Sequence, residues 1–126
     1  MSDEQANALS ERYRMTGHRL LPGMLARWAD DTEPQRVETC ITFDVGGNPG
    51  WLVDLRDPAT LGAALAVFET LVGYPCWFDP DTRSSGDVPD GWVVSAFTGA
   101  YPSRGYGCGF TREEAIVAAL ESVPRP

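Results

Sequence analysis

Residues 92–121 read WVVSAFTGAYPSRGYGCGFTREEAIVAALE, and their pattern changes twice. Val93, Ser95 and Phe97 alternate with Val94 and Ala96. That period of two predicts a strand over 92–98 with both faces partly covered. Tyr101 to Phe110 is rich in glycine and predicts a turn followed by a last strand. Thr111 then opens a helix. Its hydroxyl can accept from an amide of the first turn, and Glu114 stands where a capping box is completed. Ala115, Ile116, Ala119 and Leu120 share the inner face, and Pro124 stops the helix. Hairpin-linked strands followed by a helix, without repeated βαβ alternation, point to an α+β fold with a mostly antiparallel sheet.

Working towards the N-terminus, Asp79 to Gly91 is a polar loop rich in proline, glycine and serine, and Pro75 to Phe78 reads as a short edge strand. Asp57-Pro58 opens the clearest helix, since Asp57 can cap the orphan amides and Pro58 suits the first helical position. Leu61, Leu65, Phe68, Leu71 and Val72 form its expected buried stripe, and Gly73 closes it. Further upstream, Val37, Thr39, Ile41, Phe43 and Val45 alternate with Glu38, Cys40, Thr42 and Asp44, predicting a strand over 37–45. The turn Gly46-Gly47-Asn48-Pro49-Gly50 should join it to a second strand, Trp51 to Leu55, as a hairpin. Residues 2 to 15 predict a polar helix with capping-box spacing between Ser2 and Gln5, Leu9 and Tyr13 on one face, and Gly17 at its end. Leu21-Pro22 should start a second helix with Met24, Leu25 and Trp28 as its stripe, leaving at Asp30, Asp31 and Pro34. The expected order is α-α-β-β-α-β-β-β-α, with about 4–5 strands in one sheet and the helices packed on it. Residues 1–126 read as a single domain, in which 1–34 is a helical N-terminal extension and 37–123 the α+β core.

The 126 residues carry 10 basic and 18 acidic side chains, a net charge of -8, and every basic residue is arginine. Binding a polyanion requires basic groups that displace counterions from phosphates. The scattered arginines of an acidic chain form no such stripe, which disfavours direct nucleic-acid binding and anionic membranes. A protein partner, basic where the acidity is used, is the expectation. Cys40, Cys76 and Cys108 form no CxxC pair, and an odd count argues against a disulfide framework or a zinc site. A reducing cytoplasm is therefore expected. The N-terminal residues show no apolar signal stretch, and no apolar run is long enough for a membrane span.

No set of residues declares a catalytic centre. His18 stands alone in MTGHRL, read as an exposed linker, so it cannot build a multi-histidine metal site. Asp79 to Asp87 has acidic residues, but Arg83 and Ser84 occupy the places where a calcium loop needs an oxygen ligand and glycine. Gly105-Tyr106-Gly107-Cys108-Gly109 lacks the dinucleotide spacing, and its glycines read as allowing close packing or a bulge. Asp57 and Glu114 have capping roles, so neither Asp54 with Asp57 nor Glu113 with Glu114 makes a persuasive acid/base pair. No cofactor, metal ligand or catalytic residue is assigned. The aromatics near turns and strand ends are more informative, because aromatic residues and arginine dominate binding hot spots. Trp77, Tyr101, Arg104 and Tyr106 are the candidate partner-binding residues. An enzymatic alternative rests on Cys108, whose thiol could be activated by the following helix N-terminus.

Two stretches together resemble a known family: Val53-Asp54-Leu55-Arg56-Asp57-Pro58-Ala59-Thr60-Leu61-Gly62-Ala63-Ala64-Leu65 and Gly109-Phe110-Thr111-Arg112-Glu113-Glu114-Ala115-Ile116-Val117-Ala118-Ala119-Leu120-Glu121. The pairing resembles small phage and prophage proteins of unknown function, described as phage alpha-beta-alpha sandwich domains, over roughly residues 51–123. The resemblance implies an accessory phage protein and carries over no functional residue. The second stretch, preceded by Trp92 to Phe97 and the Tyr101-Pro102 turn, is also similar to the end of HicB-type antitoxins. The added N-terminal segment and the missing C-terminal DNA-binding domain depart from that pattern. The resulting expectation is a non-catalytic phage or mobile-element accessory protein acting by protein–protein contact. One concrete form is an acidic inhibitor of a host protein. An antitoxin-like neutralising protein and a small thiol-dependent enzyme are the alternatives.

Overall fold

Ser2 begins the first helix as its capping-box spacing predicts. Its hydroxyl accepts from the Gln5 amide at 3.2 Å, and the Gln5 side chain accepts from the Ser2 amide at 2.9 Å. The computed structural model describes residues 2–28, 30, 33–43, 50–81, 91–97 and 104–123. The described elements are α1 (Asp3–Met15), β1 (Leu25–Trp28), β2 (Gln35–Arg36), β3 (Trp51–Val53), α2 (Pro58–Val72), β4 (Cys76–Asp81), β5 (Gly91–Ala96), β6 (Arg104–Gly109) and α3 (Arg112–Glu121). The fold is α+β. Its strands form two antiparallel three-stranded sheets, ordered β2-β1-β3 and β4-β5-β6.

Three expectations are corrected. The helix expected from Pro22 is a strand, β1, at the centre of the first sheet. Met24, Leu25 and Ala26 favour helix intrinsically, but cross-strand pairing on both sides overrides that preference. Gly23, with φ +93°, turns the chain into the strand. Of the strand expected over 37–45, the described residues 37–43 hold a single bridge, between Leu20 and Ile41, and β2 lies just before them. Val37 and Phe43 are buried and Ile41 half-buried, but Thr39 of the same expected face is exposed with Glu38, Cys40 and Thr42, so the alternation matches burial only in part. β3 therefore pairs antiparallel with β1 across the chain and not in a hairpin, with Ala26 opposite Val53 and Trp28 opposite Trp51. The turn at 46–49 lies outside the described residues. One sheet of four or five strands thereby becomes two smaller ones.

The chain divides into two compact units, Met1–Val67 and Phe68–Val123. The division falls inside α2. In the first unit, α1 buries Ala6, Leu9, Ser10 and Tyr13. The Ser10 hydroxyl donates to the Val53 carbonyl, which points away from β1, so α1 satisfies part of the outer edge of β3. Tyr13 is fully buried, donates its hydroxyl to the Arg19 carbonyl at 2.8 Å, and is held protonated above the usual phenol range by burial. Asp57 caps α2 as expected, accepting from the Thr60 amide at 3.0 Å and the Thr60 hydroxyl at 2.9 Å. Arg36 grips the same carboxylate at 2.6 and 3.1 Å. The Leu25 amide donates to the Thr60 hydroxyl at 2.7 Å, so one carboxylate ties the start of α2 to β1 and β2.

Those bonds draw the Asp57 carboxyl down to about 2, the Arg36 guanidinium being the largest cause. A carboxyl whose folded pKa lies below its unfolded one stabilises the fold above the unfolded value, and loses that contribution as pH falls. Asp57→Ala should cost about 1–2 kcal/mol at neutral pH. The gap between variant and wild type in urea unfolding should close between about pH 4 and pH 2. An equal gap throughout that interval would contradict this role.

In the second unit, α3 packs on one face of the β4-β5-β6 meander and buries Ala115, Ile116, Val117, Ala119 and Leu120. Thr111 caps it, accepting from the Glu114 amide at 3.1 Å. The Glu114 carboxylate reaches back one residue further than a capping box requires, to the Phe110 amide at 3.2 Å. The glycine-rich strand takes the close-packing role expected of it. A Cβ on Gly107 would stand 2.7 Å from the Ala119 Cα and 2.8 Å from the Ala115 carbonyl oxygen, so α3 lies directly on this backbone. The register shifts between Val94 and Ser95, which face Gly107 and Gly105, leaving Tyr106 as the extra residue of a bulge.

Candidate functional site

The four candidate contact residues fare differently. Trp77 lies on the edge strand β4, half-buried, and its indole N–H donates to Asp79 at 2.6 Å. Tyr106 lies on the opposite edge strand, half-buried, with its ring edge-on to Phe68 at 5.1 Å between centroids. Trp77 faces Ser95 across β4 and β5, and the bulge brings Tyr106 beside the same residue. The central strand thus stands between them, so their backbones are roughly 10 Å apart. Arg104 pairs with Ala96 through the β6 backbone, and its side chain lies outside the described part of the structure. Tyr101 lies outside the described residues altogether.

His18 is the clearest departure among the chemical candidates. Read as an exposed linker, it is buried with 1% of its surface exposed. The thiols also separate. Cys40 and Cys108 are exposed and Cys76 is buried. Gly107 and Gly109 are the residues of β6 that meet α3, so strand alternation points Cys108 to the other face of the sheet. Burial, with the Glu69 charge behind it, pushes the Cys76 thiol up to about 11. At neutral pH a disulfide reagent should therefore titrate two thiols rapidly in the native protein, the third appearing only on unfolding. Rapid modification of all three would show that the β4 edge opens freely.

The sequence reading missed an aromatic pair in the first unit. Trp28 and Trp51 sit opposite each other on β1 and β3, stacked at 4.3 Å between ring centroids with an interplanar angle of 28°. The neighbouring residues fix this geometry. The Asp54 amide bonds to the Leu25 carbonyl, which makes Trp28 and Trp51 a non-hydrogen-bonded pair, whose side chains approach most closely. Trp28 keeps 44% of its surface exposed. Treating MLARW as helix hid the pair, since a period of 3.6 sends Trp28 inward with Met24 and Leu25. The period-two reading of 25–28, with a tryptophan also heading the strand at 51, is the signal that finds it.

The first unit also contains a cleft of about 350 Å³, lined by α1, β1, β3, Pro34 and Arg56. Its polar groups are Asp3, Asn7, Ser10, Arg27, Asp54 and Arg56, and its apolar ones include Ala6, Leu25, Leu52 and Val53. Asp54 accepts from the Arg56 amide at 3.0 Å and from its Nε at 3.0 Å, and Asp3 accepts from Nη1 at 2.7 Å. The Arg56 guanidinium holds the Asp3 carboxyl below the usual range, and the two carboxylates raise Arg56 in turn. Arg27 donates to Asn7 at 2.8 Å. These groups suit the recognition of a charged or polar partner atom. Among the described residues no cluster of three or more histidine, cysteine or carboxylate side chains is placed to hold a metal ion, and no helix is long and apolar enough to cross a membrane.

Comparison with protein-family models, curated proteins and solved structures finds no match for this chain.

Proposed function

We propose that this protein works without catalysis, by contact with a partner protein, as an accessory protein of the phage or mobile-element kind that it resembles. The observation that carries this reading is the Trp28–Trp51 stack, with Trp28 44% exposed. A stacked and partly exposed indole pair offers a rigid apolar contact, and tryptophan is among the commonest anchors of protein interfaces. The net charge of -8 favours a partner with a basic rim, through steering more than affinity.

The test is affinity capture from host cells at physiological salt, followed by titration of the purified captured protein. The wild type should retain one defined partner. The Trp28→Ala/Trp51→Ala double variant, checked for native circular dichroism, should bind it about a hundredfold or more weakly. Equal retention by the double variant, or no retention by the wild type, would refute the proposal.

A further inference from the structure

The cleft of the first unit holds an arginine whose two sides are used differently. Asp54 takes the Nε and Nη2 side, at 3.0 and 3.3 Å, and accepts the Arg56 backbone amide as well, so it fixes the guanidinium plane. Nη1 is thereby aimed at Asp3, whose side chain is 90% exposed. A pair with one partner in solvent contributes little and exchanges readily. Asp3 belongs to the first turn of α1, and its carboxylate occupies the place of an incoming anion. Beside it the cleft presents Ala6, Leu25 and Leu52, and the amide-bound guanidinium of Arg27.

The geometry points to a binding site for a small amphipathic carboxylate: its acid group replaces Asp3 on Arg56 Nη1, and its hydrocarbon part lies along Ala6, Leu25 and Leu52. The volume of about 350 Å³ falls within the range of small-molecule sites. Asp54 remains bonded to Arg56 throughout and keeps it oriented. The ligand carboxylate thus gains a charge-assisted bond to a donor that is already positioned, and the cost of ordering the arginine is met before binding. This site is independent of the tryptophan contact, since neither Trp28 nor Trp51 lines it.

The probe is isocaproate, with isocaproamide as its uncharged counterpart, each titrated into the isotope-labelled full chain and followed by amide NMR shifts. Isocaproate should move the Ala6, Asn7 and Leu52 signals saturably in the millimolar range, and isocaproamide should not. Arg56→Gln should weaken binding about tenfold or more. Asp3→Asn should tighten it about two- to fivefold, because it removes the internal competitor. That gain is a readout that a merely structural role for Asp3 would not produce, and it decides the matter should Arg56→Gln lose its native spectrum. Equal binding of the amide, an unchanged or weaker affinity in Asp3→Asn, or no saturable shift with isocaproate would each overturn the assignment.

Discussion

Gly107→Ala is expected to destabilise the second unit by about 3 kcal/mol, through overpacking. The added methyl would meet the Ala119 Cα at 2.7 Å and the Ala115 carbonyl oxygen at 2.8 Å. Both are backbone atoms of α3, so no rotamer change relieves the clash, and the helix itself must lift from the sheet. Lifting it uncovers Ile116 and Leu120, both fully buried. Gly62 provides the control of opposite sign. It lies inside α2 with nothing within 4 Å of an added Cβ. Gly62→Ala should therefore stabilise by about 0.5–1 kcal/mol, through helix propensity and a less flexible unfolded chain. Urea unfolding followed by circular dichroism distinguishes the pair. Similar small effects at both positions would mean that α3 does not sit on the β6 backbone.

What could be read in advance divides along a physical line. The helix boundaries are written in local chemistry: Ser2 with Gln5, Asp57 with Thr60, Thr111 with Glu114, and Gly73 with its φ of +80°. Each needs only residues a few positions away, and each was legible. The character of β1 depends on partners at 35–36 and 51–53, which no local pattern reveals. Of the buried stripe expected for α2, Phe68 is in place and the rest differs for the same reason. Thr60, Ala64, Val67 and Phe68 are buried, while Leu61, Leu65 and Leu71 are only half-buried. Thr60 turns inward because its hydroxyl supplies the Leu25 amide with a partner, a bond between residues 35 positions apart. Proximity to a turn likewise does not tell whether an aromatic ring faces solvent or core. Trp28, placed in the core by its apparent helix, is half in solvent, whereas Tyr106 leans on Phe68.

That last contact yields the other large effect. Phe68 is fully buried and meets Tyr106 edge-on, with ring planes 75° apart. Phe68→Ala should cost about 3–5 kcal/mol, the lost transfer energy of the ring plus the cavity left behind. Tyr106→Ala should also destabilise, and the two losses should not add. A double-mutant cycle should give a coupling of about 0.5–1.5 kcal/mol, as expected for an aromatic pair in a T-shaped arrangement. A contact residue held for a partner would behave otherwise: Tyr106→Ala would leave stability nearly unchanged, and the cycle would show no coupling. The measurement therefore separates two roles that composition could not. With coupling present, any loss of partner binding in Tyr106→Ala must be judged against the fraction of protein still folded. With coupling absent, the ring of Tyr106 returns to the list of surface anchors beside Trp28 and Trp51.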